Sequence, residues 1–179
     1  MTRRAGAPLG RVLVATERVV AGLLGLLLVA MVLLNVANAA GRYVVGRAID
    51  GSDEVLVFSM VWIVFIGTVL VTGRDRHLGF DLAARLFRGR WGALRTGMLD
   101  IGLAVLAGYV ALQSFGFVDR LARLGQVSMA ADIPMAVPHA AVLVGMALTA
   151  LLAGLRGIVR LAAFAAPGLM APAARGEGR

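Results

Sequence analysis

"VVAGLLGLLLVAMVLLNVANAAG" (Val19–Gly41) is a run of 23 residues without a charged side chain. An α-helix rises about 1.5 Å per residue, so about 20 apolar residues cross a hydrocarbon core about 30 Å thick. The run therefore predicts a membrane-spanning helix. The basic start before it and the small-residue triplet Ala37-Asn38-Ala39 resemble a cleaved signal peptide. The apolar region of a signal peptide is only about 7–15 residues long, so a retained span is favoured.

Three more runs of this kind follow along the chain. Of the 179 residues, 60% are hydrophobic, against about 45–50% in ordinary soluble domains. We therefore predict an all-α integral membrane protein, with residues 1–164 as one membrane domain and 165–179 as a disordered tail. The four transmembrane helices are expected at about 19–41, 55–73, 96–118 and 133–155.

Arginine supplies all the positive charge, because the chain has 18 Lys plus Arg and every one is Arg. Fourteen lie before the first span, between the second and third, or after the fourth: Arg3, Arg4, Arg11, Arg18, Arg74, Arg76, Arg85, Arg88, Arg90, Arg95, Arg156, Arg160, Arg175 and Arg179. The other side has only Arg42, Arg47, Arg120 and Arg123. Basic loops stay cytoplasmic, so both termini are predicted inside.

The connection between the second and third spans reads "GRDRHLGFDLAARLFRGR" (Gly73–Arg90). Asp81, Arg85 and Arg88 share one helical face, and leucines line an adjacent face. This pattern predicts an amphipathic helix lying in the membrane interface. No nucleic-acid-binding fold accompanies the charge, so we do not expect a nucleic-acid partner. The residues expected to anchor this segment to membrane lipids are Arg74, Arg76, Arg85, Arg88, Arg90 and Trp91.

Polar residues inside the spans are the candidates for contacts. Asn35, Asn38 and Arg42 recur on one face of the first span. They either contact a partner helix or line a wet cleft, or they are simply hydrated and bonded to a neighbouring helix. Trp62 lies mid-span, so we expect it to pack against another helix. Asp100 is expected to reach water or to pair with Arg95 or another arginine of that connection.

Small residues and one amide complete the features of the spans. Gln113 in the third span is expected to join helices by hydrogen bonding. Two pairs of small residues, each spaced four apart, permit close helix approach in the third and fourth spans. They are Ala104/Gly108 and Ala150/Gly154.

The remaining ionisable residues give no catalytic pattern. The acidic trio Asp50, Asp53 and Glu54 either holds a cation or marks a helix start, with Ser52 or Asp53 as cap. His77 and His139 fall at opposite membrane depths, so one chain cannot use both as haem ligands. Cysteine is absent, which removes thiolate metal sites and disulfides. We predict no enzyme activity and no cofactor.

Four segments in order resemble the small permease subunit of tripartite ATP-independent periplasmic (TRAP) transporters, the DctQ-like family. The resemblance covers about residues 15–162. Two details depart from the family pattern: the Trp that often precedes the acidic residue is missing, and Ser128 is followed by Met129 rather than Pro. The segments are "NVANAAGRYVVG" (Asn35–Gly46), "DEVLVFSMVWIVFIGT" (Asp53–Thr68), "RDRHLGFDLAARL" (Arg74–Leu86) and "GQVSMAADIPMAVPHAAVLVGMAL" (Gly125–Leu148).

The resemblance implies a subunit of the bacterial inner membrane with two protein partners. A periplasmic substrate-binding protein would deliver an organic anion, such as a dicarboxylate, to a large multi-span permease subunit that moves it with sodium. This chain would be a stationary scaffold. The alternatives are a self-sufficient channel or carrier and a membrane anchor of a redox complex. The candidate interface or structural residues are Asn35, Asn38, Arg42, Tyr43, Glu54, Trp62, His77, Asp81 and Pro134.

Overall fold

The computed structural model describes residues 8–73 and 90–165. Four helices in this part are long and apolar enough to cross a membrane, so the predicted all-α fold with four spans is confirmed. The interfacial helix and the C-terminal tail were predicted for segments outside the described residues. The helices are α1 (Pro8–Ala40, continued by a π-helical turn at Gly41–Val45), α2 (Ser52–Gly73), α3 (Arg90–Leu124) and α4 (Ala136–Ala165).

All four helices are longer than the charge-free runs that predicted them. α1 already includes Arg11 and Arg18, and α3 continues past Val118 through Arg120 and Arg123. A charge-free run marks only the segment immersed in hydrocarbon, and a helix can continue beyond it into the headgroup region. α4 differs at its start, because residues 133–135 belong to a turn that bridges Pro134 to Val127.

The chain reverses after α1 through a wide turn. The backbone N–H of Gly46 and that of Arg47 both donate to the carbonyl oxygen of Gly41, the latter at 3.2 Å. Gly46 has a φ of 72°, in the left-handed region that favours glycine. The turn therefore satisfies the end of α1 locally and leaves Tyr43 and Val44 exposed.

The four helices stand in a row rather than in a closed bundle. α1 packs against α2, α2 also packs against α4, and α4 packs along α3. No other pair of these helices packs extensively within the described residues. α1 and α3 therefore form the two edges, and both expose large apolar side chains, such as Leu26 and Leu112. A membrane accepts such edges, because lipid chains are themselves apolar.

Small residues let α3 and α4 approach closely. The β-carbon of Ala104 would lie 3.6 Å from a β-carbon at Gly154, and that of Ala150 lies 3.9 Å from one at Gly108. The two small-residue pairs predicted from the sequence thus face each other. A stripe of small residues along α4 is buried, as is usual where membrane helices are held by close packing. It consists of Pro138, Ala141, Gly145, Thr149, Ala153 and Gly157.

The contact between α2 and α4 depends on one glycine. A β-carbon at Gly145 would lie 2.7 Å from Cβ and 2.9 Å from the backbone oxygen of Phe65. Such a distance to backbone is shorter than real contacts, so any side chain at Gly145 would push the helices apart. This crossing fixes α2 beside α4 and so sets the order of the row.

Candidate functional site at the clamp end of the helix row

Two connections meet at one end of the row, which we call the clamp end: residues 46–51 between α1 and α2, and residues 125–135 between α3 and α4. Glu54, in the first turn of α2, reaches across to the second connection. Its carboxylate accepts hydrogen bonds from the backbone N–H groups of Met129 (3.1 Å), Ala130 (3.1 and 3.2 Å) and Ala131 (2.8 Å). Three donors converging on one carboxylate fasten α2 to the α3–α4 connection.

The connection itself is folded so that these N–H groups point outward. The backbone N–H of Ser128 donates to the Ile133 carbonyl at 2.9 Å, and the Ile133 N–H donates to the Ser128 hydroxyl at 3.1 Å. A third bond, from the Met135 N–H to the Gln126 carbonyl at 2.9 Å, closes the base of the loop. Residues 129–131 form its tip, where the backbone donors are left for Glu54.

Gly51 allows the two connections to touch. Its φ is +73°, and a β-carbon there would lie 2.9 Å from both Cα and Cβ of Ala131. Glu54 lies three residues later, so this approach brings its side chain within reach of the loop tip. The glycine therefore serves both the turn and the contact.

Asn38 ties α1 to the same end. Its side chain is 4% exposed, its Oδ1 accepts the backbone N–H of Ile49 at 2.8 Å, and its Nδ2 donates to Asp53 Oδ1 at 3.4 Å. A buried amide with both of its ends bonded is well satisfied. Asn38 thereby links α1, the connection that follows it and the start of α2.

These contacts change the interpretation of several predicted residues. The predicted cap is wrong, because the Ser52 hydroxyl is buried without a partner and Asp53 accepts from Asn38 instead. The three polar residues of α1 also differ: Asn38 is buried, whereas Asn35 and Arg42 are exposed. Among residues 8–73 and 90–165, no group of three or more His, Asp or Glu side chains is placed to hold a metal ion.

A second polar cluster lies at the opposite end of the row. Asp100 is 5% exposed and accepts a hydrogen bond from Arg160 Nη1 at 2.5 Å. Arg156 Nη2 lies 3.9 Å from its other oxygen. Both arginines come from α4, not from the connection preceding α3 as predicted, and they join α3 to α4 where the small-residue packing ends. This cluster is called the arginine end below.

The remaining predicted residues take varied positions. Trp62 is half-buried on α2, while Tyr43 and Pro134 are exposed at the clamp end. Arg90 and Trp91 lie in the first turn of α3. The predicted sites at His77, Asp81, Arg74, Arg76, Arg85 and Arg88 lie outside the described residues.

Sequence reasoning missed the residues that complete both clusters. Nothing local in the sequence marks Ser128 as a neighbour of Glu54, or Gly51 as a neighbour of Ala131, because these contacts join segments about 75–80 residues apart. Arg156 and Arg160 did carry a signal: spacings of 4, 3 and 4 place them in line with the buried Thr149 and Ala153 of α4. Arginines that continue a buried stripe require an acidic partner, and Asp100 lies at the matching end of α3.

One family of known proteins matches most of this chain. The family described as "Tripartite ATP-independent periplasmic transporters, DctQ component" matches residues 28–164. This range includes α2, α3, nearly all of α4 and the Asn38 and Glu54 contacts. Searches of curated proteins and of solved structures give no match. The match covers most of the chain, which therefore belongs to the DctQ family, the small membrane subunits of TRAP transporters.

Proposed function

We propose that this chain is a stationary scaffold for the large membrane subunit of its transporter. The large subunit would carry an organic anion, such as a dicarboxylate or another carboxylate, inward with sodium, and a periplasmic binding protein would deliver that anion. The observation that supports a stationary role is the fastening of the row at both ends. Glu54 fixes α2 to the α3–α4 connection, and Asp100 fixes α3 to α4.

A moving carrier needs an element with two arrangements of similar free energy. The contacts of Glu54 and Asp100 stabilise a single arrangement of the four helices. The backbones of α2 and α4 approach closely at Gly145, and small residues of α3 and α4 face each other. This close packing leaves little room for one helix to slide along another. The polar groups with the lowest exposure in α1 and α3, Asn38 and Asp100, are used within the chain rather than offered to a passing solute.

The proposed placement is the bacterial inner membrane, with both termini in the cytoplasm and the clamp end facing the periplasm. The distribution of arginine supports it, since Arg156 and Arg160 lie at the end opposite the clamp. Partners that arrive from the periplasm would then meet the clamp end.

The test is a mild-detergent purification of the tagged chain, followed by mass spectrometry and reconstitution in liposomes. We expect a larger multi-span protein to co-purify. We also expect sodium-driven uptake only when the chain, that protein and the binding protein are all present. Uptake by this chain alone would overturn the proposal, and so would a complex without a larger membrane protein.

A further inference from the structure

A notch on the edge of the row runs from Tyr109, in the middle of the membrane, to His139 near the clamp end. Its volume is about 410 Å³, and it opens between α3 and α4. Tyr109 is the central residue of the span Leu94–Leu124, and its side chain is exposed, as is that of Gln113. The usual place of Tyr in a membrane protein is the interface with water, and a central position does not fit that role. The lining residues are Tyr109, Val110, Gln113, Ser114, Phe117, His139 and Val142.

The polar groups of the notch satisfy one another only in part. Gln113 Nε2 donates to the Tyr109 hydroxyl oxygen at 2.9 Å. The hydroxyl proton of Tyr109 and the Oε1 acceptor of Gln113 have no partner among the described residues. In hydrocarbon, unmet hydrogen-bonding groups are costly, so exposed polar side chains at this depth mark a contact.

His139 adds a further acceptor. Its Nδ1 lies 2.7 Å from the carbonyl oxygen of Met135, and since a carbonyl only accepts, Nδ1 carries the proton. In the neutral ring Nε2 is then an acceptor. The ring is held against Phe117 with the two centroids 5.0 Å apart, so its position is fixed by packing. The notch thus presents one donor, the Tyr109 hydroxyl, and two acceptors, Gln113 Oε1 and His139 Nε2.

We propose that a transmembrane helix of the large subunit docks in this notch. A helix can place an apolar side chain in the cavity and a polar one beside Tyr109 and Gln113, as membrane helices commonly do. A lipid acyl chain fits less well, because it offers no hydrogen bonds. A second copy also fits less well, since a two-fold contact would set notch against notch and leave both unfilled. This inference rests on the proposed function.

Leu151 offers a matched control for the test. It is 57% exposed, against 60% for Tyr109. The two residues differ in depth by only about 3 Å, because they follow Gly108 and Ala150, which face each other on antiparallel helices. Leu151 comes nine residues after Val142, which lines the notch, and so lies on the opposite side of α4.

The experiment places a photo-reactive benzophenone amino acid at Tyr109 or at Leu151 in the assembled complex. We expect crosslinks from position 109 to the large subunit, several-fold above those from position 151. Equal yields from both positions would overturn the inference. Crosslinks from position 109 mainly to lipid or to a second copy would do the same. If the large subunit still co-purifies in those cases, the proposed function stands. If it does not co-purify with the unmodified chain, both fail.

A second measurement uses the double variant Tyr109→Phe/Gln113→Leu, which keeps size and removes the polar groups. We expect it to insert normally and to bind the large subunit about threefold to tenfold more weakly for each hydrogen bond lost. Leu151→Ala should leave binding unchanged. Full binding by the double variant would overturn the inference.

Discussion

Gly51 and Ala131 lie 80 positions apart in the chain, yet a β-carbon at Gly51 would sit 2.9 Å from the Cα of Ala131. The approach joins the two connections of the clamp end. It also positions Ala131, whose N–H makes the shortest of the bonds to Glu54 at 2.8 Å. Backbone shape at Gly51 and charge at Glu54 therefore act on the same contact.

Replacing Gly51 tests the contact against a matched control. Gly51→Ala and Gly46→Ala both place a side chain on a left-handed backbone, at φ +73° and +72°, with a cost of about 1–2 kcal/mol each. Only Gly51 has atoms within 4 Å of the new β-carbon. We expect an additional loss of about 1–3 kcal/mol for Gly51→Ala, from overpacking. Thermal unfolding in one detergent measures the difference, and equal losses would contradict the contact.

The Glu54→Gln variant tests the carboxylate. An amide keeps one acceptor oxygen and turns an NH2 group toward N–H donors, so it cannot serve Met129, Ala130 and Ala131 together. We expect a lower unfolding temperature and faster hydrogen exchange at positions 129–131. The control is Asp50→Asn, an exposed acid of the same end. If hydrogen exchange at positions 129–131 is unchanged in Glu54→Gln, the carboxylate does not hold the loop tip.

Removing the charge of Asp100 should strongly destabilise the arginine end. Asp100→Asn leaves Arg160 and Arg156 without their buried counter-charge, at a cost of about 3–5 kcal/mol. The exposed pair of Asp119 and Arg123 is the control, because breaking it by Asp119→Asn should cost about 0.2–1 kcal/mol. The combined variant Asp100→Asn/Arg160→Gln should lose less than the sum of its single changes. Additive losses would show that the pair is not coupled.

The crossing of α2 and α4 is tested at Gly145. Gly145→Ala would press its β-carbon against the backbone of Phe65, so a smaller partner side chain cannot relieve the clash. We expect a loss of about 1–3 kcal/mol. Gly102→Ala, in open space on α3, should instead be neutral or slightly stabilising. Similar behaviour of the two variants in thermal unfolding would argue against this crossing.

Orientation in the membrane is tested with single cysteines, since the chain has none of its own. Met129 is fully exposed at the clamp end, and Arg11 is exposed near the start of α1. A membrane-impermeant maleimide should label Met129→Cys in intact spheroplasts and Arg11→Cys only after permeabilisation. The reverse pattern would invert the proposed topology.

The sequence predicted the number of spans and one of their contacts well. The length of a charge-free run directly indicates a segment that lies in the hydrocarbon core. Gly108 and Gly154 face Ala150 and Ala104, because membrane helices approach most closely where their residues are small. The order of the helices could not be predicted. Spans that are apolar all round give no periodicity from which a buried face can be identified.

The candidate sites were only partly predictable for a related reason. Glu54 and Asn38 stand out as polar residues near the ends of apolar runs. Glu54 binds backbone groups of a segment about 75 residues away, and Asn38 binds the backbone of Ile49; backbone groups have no residue type to recognise. The pairing of Asp100 with Arg160 was the accessible exception, since both are charged and lie at matching heights on adjacent helices.

The position of α1 at the edge gives the molecule an order of disassembly. Among the described helices, each edge helix has one neighbour, but α1 packs far less extensively on α2 than α3 packs on α4, so α1 loses the least contact when it leaves the row. Harsh detergent or heat should detach it first and leave α2, α4 and α3 together as a remnant. Such preparations would keep their helix content, but Asn38 would be exposed instead of buried. They would have lost the packing of α1 on α2 without being unfolded.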